Sequence, residues 1–360
     1  MDYSVGCDMH KRYSVFAKLD AGGAMSAPVR VEHEGDRLRQ YFAQLPPGTP
    51  GAFETTGYGH WFADLLEEVG LAPKLTNARK AKVMMGHTNK TDRLDAQGLA
   101  TLLHNGTLPA VWIPPRAVRD QRELLRGRLA FVRQRTSLTN RVQTTLAKYA
   151  IRIDEVSDLF GKRGRRLLAA HLSSLPPLTP CCLEPHLALF DTLEAKIAAL
   201  ETRIEALSAD TPRMRQLQTL PGVGRILSAV IAVEVGTMAR FPRAGNYTSY
   251  AGTTPTVRSS GGKTSYGRVR KDVNHSLKWA YAEAANAVVR AQRTRPRSHV
   301  VTLSTRLKRG KGHAKAVVAV ARHLAEATSW MWSKEEPYRD PHLGGRETVS
   351  STPGQAHVMS

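Results

Sequence analysis

Four carboxylates in the first hundred residues are placed where they could do chemistry. Asp8 closes the short apolar segment Tyr3-Ser4-Val5-Gly6-Cys7. Glu54 closes Gly51-Ala52-Phe53. Asp92 and Asp95 stand three apart in Lys90-Thr91-Asp92-Arg93-Leu94-Asp95-Ala96. If a helix starts there, i and i+3 share a face. Asp95 then falls in line with Leu99 and Leu102 on an apolar stripe, where an unpaired charge is costly. Taken singly, each acid has an ordinary explanation. Asp92 could sit at the positive end of a helix capped by Thr91, and Asp8 and Glu54 could be turn or salt-bridge residues. Taken together, their order points to an oxygen-rich site for Mg²⁺ or Mn²⁺. Paired ions in such a site clamp an in-line phosphoryl displacement.

The elements that must position these acids are legible around them. Residues 3–7 and Tyr13–Leu19 read as strands of a hairpin, Val29–Glu32 as a third strand and Gly51–Glu54 as a fourth. His60–Val69 reads as a helix, with Phe62, Leu65, Leu66 and Val69 at helical spacing. Strands alternating with helices predict an α/β domain over 1–115, a sheet covered by helices. His10, His60, His87 and His275 are scattered and read as ordinary histidines.

Charge sets the partner class. The 360-residue chain has 52 Lys and Arg against 31 Asp and Glu, a formal net of +21. Such a surplus argues for a polyanionic partner, nucleic acid before membrane. No apolar run is long enough to span a bilayer, no signal peptide is evident, and three cysteines make neither a zinc site nor a disulfide framework. These point to a cytoplasmic location. Residues 116–152 form a long helical stretch with ten cations and two acids. Arg122, Arg126 and Arg133 on it are expected to track phosphates.

Residues 116–215 read as a basic helical and coiled-coil region. Phe190, Leu193, Ile197, Leu200, Ile204 and Leu207 alternate spacings of three and four, the seam of a coiled coil or of a bundle. Pro176, Pro177, Pro180 and Pro185 mark the segment before it as a linker. Residues 216–334 read as a mainly α domain. Its turn Pro221-Gly222-Val223-Gly224 lies between helices, like a helix-hairpin-helix, with Gly222 and Gly224 either approaching a phosphate or simply turning the chain. Arg306–Lys315 reads as a basic loop opening a last helix, with Lys308, Arg309 and Lys311 as nucleic-acid contacts. The tail, 335–360, is expected to be disordered.

Several strings resemble one family. Gly6-Cys7-Asp8-Met9-His10-Lys11, Phe53-Glu54-Thr55-Thr56-Gly57 and Lys90-Thr91-Asp92-Arg93-Leu94-Asp95-Ala96 are similar to the DEDD signature of the IS110 insertion-sequence transposases. That signature lies on an RNase H-like domain of the Holliday-junction resolvase type. Leu220-Pro221-Gly222-Val223-Gly224, Tyr250-Ala251-Gly252-Thr253-Thr254-Pro255 and Ser259-Ser260-Gly261-Gly262 resemble the motifs of the family's later domain, with Thr253 in place of the usual Leu. The resemblance implies a recombinase guided by a structured bridge RNA that pairs with donor and target DNA. It also implies a homo-oligomer in which one protomer's acids are completed by another's serine. The nucleophilic serine falls on Ser260, with Ser259 the neighbouring alternative. Arg258, Lys263, Arg268, Arg270 and Lys271 flank it, cations suited to binding phosphate. Two rivals stand beside this reading. A metal-dependent junction nuclease would need the acids but not Ser260, and a non-catalytic basic DNA-binding protein would need neither.

Overall fold

The computed structural model describes residues 3–54, 57, 59–86, 89, 91–208, 211–291 and 298–341. The chain divides into two compact units, one ending at Pro115 and the other starting at Arg116.

The first unit is built on a five-stranded mixed sheet of β1 (Tyr3–Met9), β2 (Tyr13–Asp20), β3 (Val29–Glu32), β4 (Pro50–Glu54) and β5 (Ala72–Thr76). Its order is β3-β2-β1-β4-β5. The first three strands pair antiparallel, and β4 and β5 add parallel. Alternation divides the strand residues between two faces. Cys7, Phe16 and Phe53 point to one side, where they pack with Leu38 and Phe42 of α1 (Arg37–Phe42) and Phe62 and Leu66 of α2 (Gly59–Glu68). Gly6, Val15, Ala17 and Ala52 point to the other. There lie α3 (Ala78–Met85) and α4 (Asp92–His104), through Ala81, Ala96 and Leu99. The expected α/β unit is therefore observed, with β5, α1 and α3 added to the elements legible in the sequence. β5 is short and interrupted by Pro73, which hides its period.

The second unit is mostly helical, as expected. It comprises α5 (Arg116–Lys148), α6 (Lys162–Leu172), α7 (Leu178–Ser208), α8 (Pro212–Leu217), α9 (Arg225–Val235), α10 (Ala244–Tyr250), α11 (His275–Arg290), α12 (His299–Lys311) and α13 (His313–Lys334). Its main core gathers Tyr247, Leu277, Tyr281, Ala284, Val300, Val320 and Leu324, all fully buried.

Three expectations are corrected here, those of the linker, the basic loop and part of the tail. The proline-marked segment is not a linker throughout, because α7 begins at Leu178 and carries Pro185 inside it. The seam residues Phe190, Leu193, Ile197 and Ile204 are buried, whereas Leu207 is exposed. α7 lies along α5, and acids on it answer the cations of α5: Arg128 pairs with Glu201 and Arg135 with Glu194. The basic stretch Arg306–Lys311 is not a loop. It forms the last turns of α12, where cations suit the negative end of the helix dipole, and Gly312 at φ +82° breaks the chain before α13. Residues 335–341 are placed rather than loose: the Tyr338 amide donates to Thr219 Oγ1, and the carboxylate of Asp340 accepts from Ser298 Oγ and the His299 amide. The rest of the expected tail, 342–360, lies outside the described residues, as does His87.

The second unit also contains a two-stranded sheet that sequence periodicity did not reveal. Strands β6 (Pro255–Ser260) and β7 (Lys263–Val269) pair antiparallel with Ser260 opposite Lys263. Gly261 and Gly262 form the two-residue connection at φ +56° and +75°. A tight hairpin turn of this kind requires positive φ at both central residues, and glycine adopts it without strain.

Candidate active site

Gly6 explains how Asp8 comes to face the first turn of α4. A Cβ on it would overlap the carbonyl oxygen of Ala96 and the amide of Ala100, so only glycine lets α4 lie this close on β1. Asp8 is two residues further along the same strand face, and Asp95 immediately precedes Ala96 in α4. The approach therefore delivers the start of α4 to the end of β1. Glu54 stands on the neighbouring strand: β1 and β4 run parallel with Cys7 beside Phe53, and the next residues, Asp8 and Glu54, share the face covered by α4. Thr91 caps α4, its hydroxyl accepting from the Leu94 amide at 3.3 Å, which leaves Asp92 and Asp95 in the first turn.

Among the described residues, Asp8, His10 and Asp92 are placed to share an ion, their ligand atoms all within 4.8 Å of one another, and Glu54 and Asp95 lie outside this group. His10 Nε2 is 3.2 Å from Asp8 Oδ2 and 3.1 Å from Asp92 Oδ2. The Tyr13 hydroxyl donates to Asp92 Oδ2 at 3.0 Å, and its ring stacks on His10 at 4.5 Å between centroids. Burial pushes the Asp8 carboxyl above the usual carboxylate range. Proximity to His10 opposes this, and the charges of Asp92 and Asp95 add to it. A cation beside an acid raised by burial and by neighbouring carboxylates would favour its ionised form. The oxygen-rich donor set with one imidazole suits a hard divalent ion. His10 and Tyr13 were missed as site residues, although His10 stands two positions after Asp8, a spacing that keeps one face.

In the second unit, the hairpin sorts its two serines. Ser259 Oγ lies 3.2 Å from Thr264 Oγ1, on the face shared with Val257 and Tyr266. Ser260 takes the opposite face with Arg258 and beside Lys263; all three are exposed, as is Arg268. Arg270 differs, being bound to Asp272 through two bonds of 3.1 and 2.7 Å.

The basic helix is only partly a solvent face. Arg122 is buried and donates to the carbonyls of Val233 at 3.2 Å and Glu234 at 2.7 Å. Arg126 grips the Glu234 carboxylate bidentately at 2.8 and 3.0 Å. These contacts correct the expectation that Arg122 tracks phosphate, since its donors are committed inside the fold, whereas Arg126 binds Glu234 from a side chain that is still 44% exposed. Arg133, Arg141, Lys148 and Arg152 lie exposed, as do Lys308, Arg309 and Lys311. Gly222 is likewise turned inward: at φ +79° its position would drive a Cβ into the Ala284 carbonyl, so it serves helix packing rather than a phosphate. Gly224, at the start of α9, borders open space.

Among the described residues no helix is long and apolar enough to cross a membrane. Comparison with known proteins identifies both units. A family model of DEDD-type IS110 transposases matches residues 5–151, and the model described as transposase IS116/IS110/IS902 family matches residues 214–300. A probable family 20 transposase of Pseudomonas aeruginosa is 28% identical over 316 residues, covering 84% of this chain and 89% of that protein. The transposase for insertion sequence element IS1111A of Coxiella burnetii is 24% identical over 335 residues, 93% and 91% of the two chains. A 43.6 kDa protein of insertion element IS110 from Streptomyces coelicolor is 37% identical over 124 residues, 34% of this chain and 30% of that one. With a DEDD match over the acidic unit and a second match ending beyond the serine hairpin, the chain belongs to the IS110 family of insertion-sequence transposases, enzymes that process DNA.

Proposed function

We propose that this transposase cuts and rejoins DNA with two separate sets of residues. One is the acidic cluster of an RNase H-like unit, Asp8, Glu54, Asp92 and Asp95, to which His10 adds an imidazole. The other is Ser260 with Arg258 and Lys263. The acids would hold Mg²⁺ or Mn²⁺, which when bound supplies Lewis-acid neutralisation of phosphate charge. Asp8, raised by burial and by its acidic neighbours, gains from any cation brought between them. Tyr13 fixes one oxygen of Asp92 and so orients that carboxylate.

Ser260 acts as the nucleophile. Its Oγ bonds to phosphorus and gives up its proton, the bond from phosphorus to the departing strand's oxygen breaks, and that oxygen takes a proton. The phosphoserine so formed conserves the bond energy. In the second transfer a hydroxyl of the incoming strand attacks the same phosphorus and releases the serine. The observation that carries this reading is the pleat of the hairpin, which puts Ser260 on the face of Arg258 and beside Lys263, where cations stabilise charge developing on phosphate. Arg268, Lys308, Arg309, Lys311 and Arg133 offer exposed charge for the nucleic-acid backbone. The net charge of +21 supports a polyanionic partner, and the resemblance to IS110 transposases extends it to a structured bridge RNA and a homo-oligomer.

Trapping with nicked suicide DNA tests the reading. A covalent adduct through Ser260 is expected, lost in Ser260→Ala together with recombination while nucleic-acid binding survives. An adduct that persists in Ser260→Ala but vanishes in Ser259→Ala would move the nucleophile to the other face. Cut DNA with free ends and no adduct in any variant would leave a metal-dependent nuclease.

A further inference from the structure

Glu234 lies near the end of α9 with its side chain wholly buried. Its Oε1 accepts from Arg126 Nε, its Oε2 accepts from Arg126 Nη2, and Arg122 Nε stands 3.4 Å away. A further donor comes from a distant part of the chain: Asn274 Nδ2 reaches Glu234 Oε2 at 2.8 Å. Asn274 is the N-cap of α11, and its Oδ1 accepts from the Leu277 amide. The same Nδ2 also stands 3.1 Å from the Tyr250 hydroxyl, and the Asn274 amide donates to the Tyr250 carbonyl at 2.9 Å.

Tyr250 and Asn274 flank the serine hairpin. Tyr250 ends α10, five residues before β6 starts, and Asn274 follows β7 by five residues. Between them, Gly252 at φ +68° leaves no room for a Cβ against Val273, so the two legs are pressed together there as well. Above this base the hairpin is exposed on both faces, apart from its root, and has no core of its own to fix its direction. A two-stranded ribbon in water is marginal by itself. Its aim must be set at the root.

We infer that Glu234 is a positioning residue for the serine hairpin, holding Asn274 and through it the two legs that carry Ser260. The inference rests on Ser260 being the nucleophile. A carboxylate suits the place because it only accepts: it fixes the Asn274 amide with nitrogen towards Glu234 and oxygen towards the α11 backbone. The amide of a glutamine has one acceptor oxygen, so its NH2 would face either Arg126 Nε or the pair Arg126 Nη2 and Asn274 Nδ2, and the three donors cannot all be satisfied. The same geometry accounts for Arg122 of an otherwise basic surface helix being buried and for the half-exposed Arg126 reaching back to the same carboxylate. They neutralise the charge that orients the root.

The test compares Glu234→Gln and Asn274→Ser in the full-length protein. Serine still caps α11 but lacks the arm to Glu234 and Tyr250. Two readouts are taken: the rate of covalent capture on nicked DNA, and amide hydrogen exchange along the chain. Both variants are expected to bind DNA as the parent does and to capture it at least about tenfold more slowly, since small misplacements of a reacting group are costly in rate. Exchange should accelerate within 255–273 while α9, α11 and α13 keep their protection. Parental capture rates in both variants would overturn the inference. So would slow capture with protection lost throughout the helical core, which marks a merely structural residue. Should Ser260→Ala itself form the adduct at the parental rate, the serine assignment fails, whereas the exchange pattern still reports whether Glu234 fixes the hairpin.

Discussion

Gly6 and Ala96 meet backbone to backbone, β1 against α4, with no space for even a methyl group between them. That single approach brings Asp8 to the helix turn holding Asp92 and Asp95. Gly6→Ala should therefore do two things at once. Overpacking of this kind costs about 1–3 kcal/mol, which a denaturant titration of the protein would register. Cleavage should fall further than stability, because α4 must lift away and carry two of the acids with it. Parental cleavage in a folded Gly6→Ala protein would mean that the acids do not work as a unit.

Asp8 offers a prediction with the opposite sign for stability. Its carboxyl is held above the usual range by burial and acidic neighbours, so at neutral pH the ionised form is a strain on the metal-free fold. That strain is present above the raised folded value and is relieved as pH falls through it. Asp8→Asn should thus melt no lower than the parent in the presence of a chelator, and should lose the gain that Mg²⁺ gives the parent. For a bound ion that gain approaches about 2.7 kcal/mol at a hundredfold excess over Kd. Thermal melts with and without Mg²⁺ read both arms. Glu54→Gln, Asp92→Asn and Asp95→Asn should each abolish cleavage and spare nucleic-acid binding.

Much of the first unit was legible because its chemistry and its periodicity coincide. Strand ends were marked by acids, and Thr91 announced the helix that Asp92 starts. His10 was overlooked because its significance is in a contact, not a pattern: only the packing of α4 on β1 brings Asp92 to within 3.1 Å of it. The second unit was harder to read for a related reason. The ten cations of residues 116–152 look unanswered along the sequence, yet Arg122, Arg126, Arg128 and Arg135 among them meet Glu234, Glu201 and Glu194, 59 to 112 residues further on. The serine hairpin had a local signal in Gly261-Gly262 between two short runs, but exposed strands lack the apolar alternation that would have announced them.

Salt dependence should separate the buried Arg122 from the outward cations. Each cation on a phosphate contributes a slope of about −0.9 in log K against log salt for duplex DNA. Replacing Lys308, Arg309 and Lys311 together, or Arg133 with Arg141, should flatten the slope and leave the melting temperature near the parental value. Arg122→Met should instead lower stability, because two buried carbonyls lose their donor at about 1–3 kcal/mol each, with no change in slope for whatever remains folded. A flattened slope in Arg122→Met alone would show that this side chain reaches phosphate after all.

Glu234 should register in the acid limb of stability. Burial alone would raise its pKa, but the bonds from Arg126 and Asn274 and the charge of Arg122 outweigh that and hold the carboxyl below the usual range. A carboxylate so depressed contributes stability that is complete above the unfolded value of about 4.3. The contribution drains away as pH falls through the lower folded value. Urea titrations from neutral pH downward should show a shallower acid decline in Glu234→Gln than in the parent, from a lower starting point. Superimposable slopes would mean that the ion pair is not formed.

The pleat of the serine hairpin also makes its chemistry a matter of odd and even numbers. Adding or removing one residue in β6 exchanges the sides on which Ser259 and Ser260 emerge, whereas a change of two restores them. Homologous transposases, or laboratory variants, that lengthen this ribbon should therefore do so in pairs, and a redesign that moved the reactive hydroxyl nearer to or farther from the root would have to advance by two residues at a step.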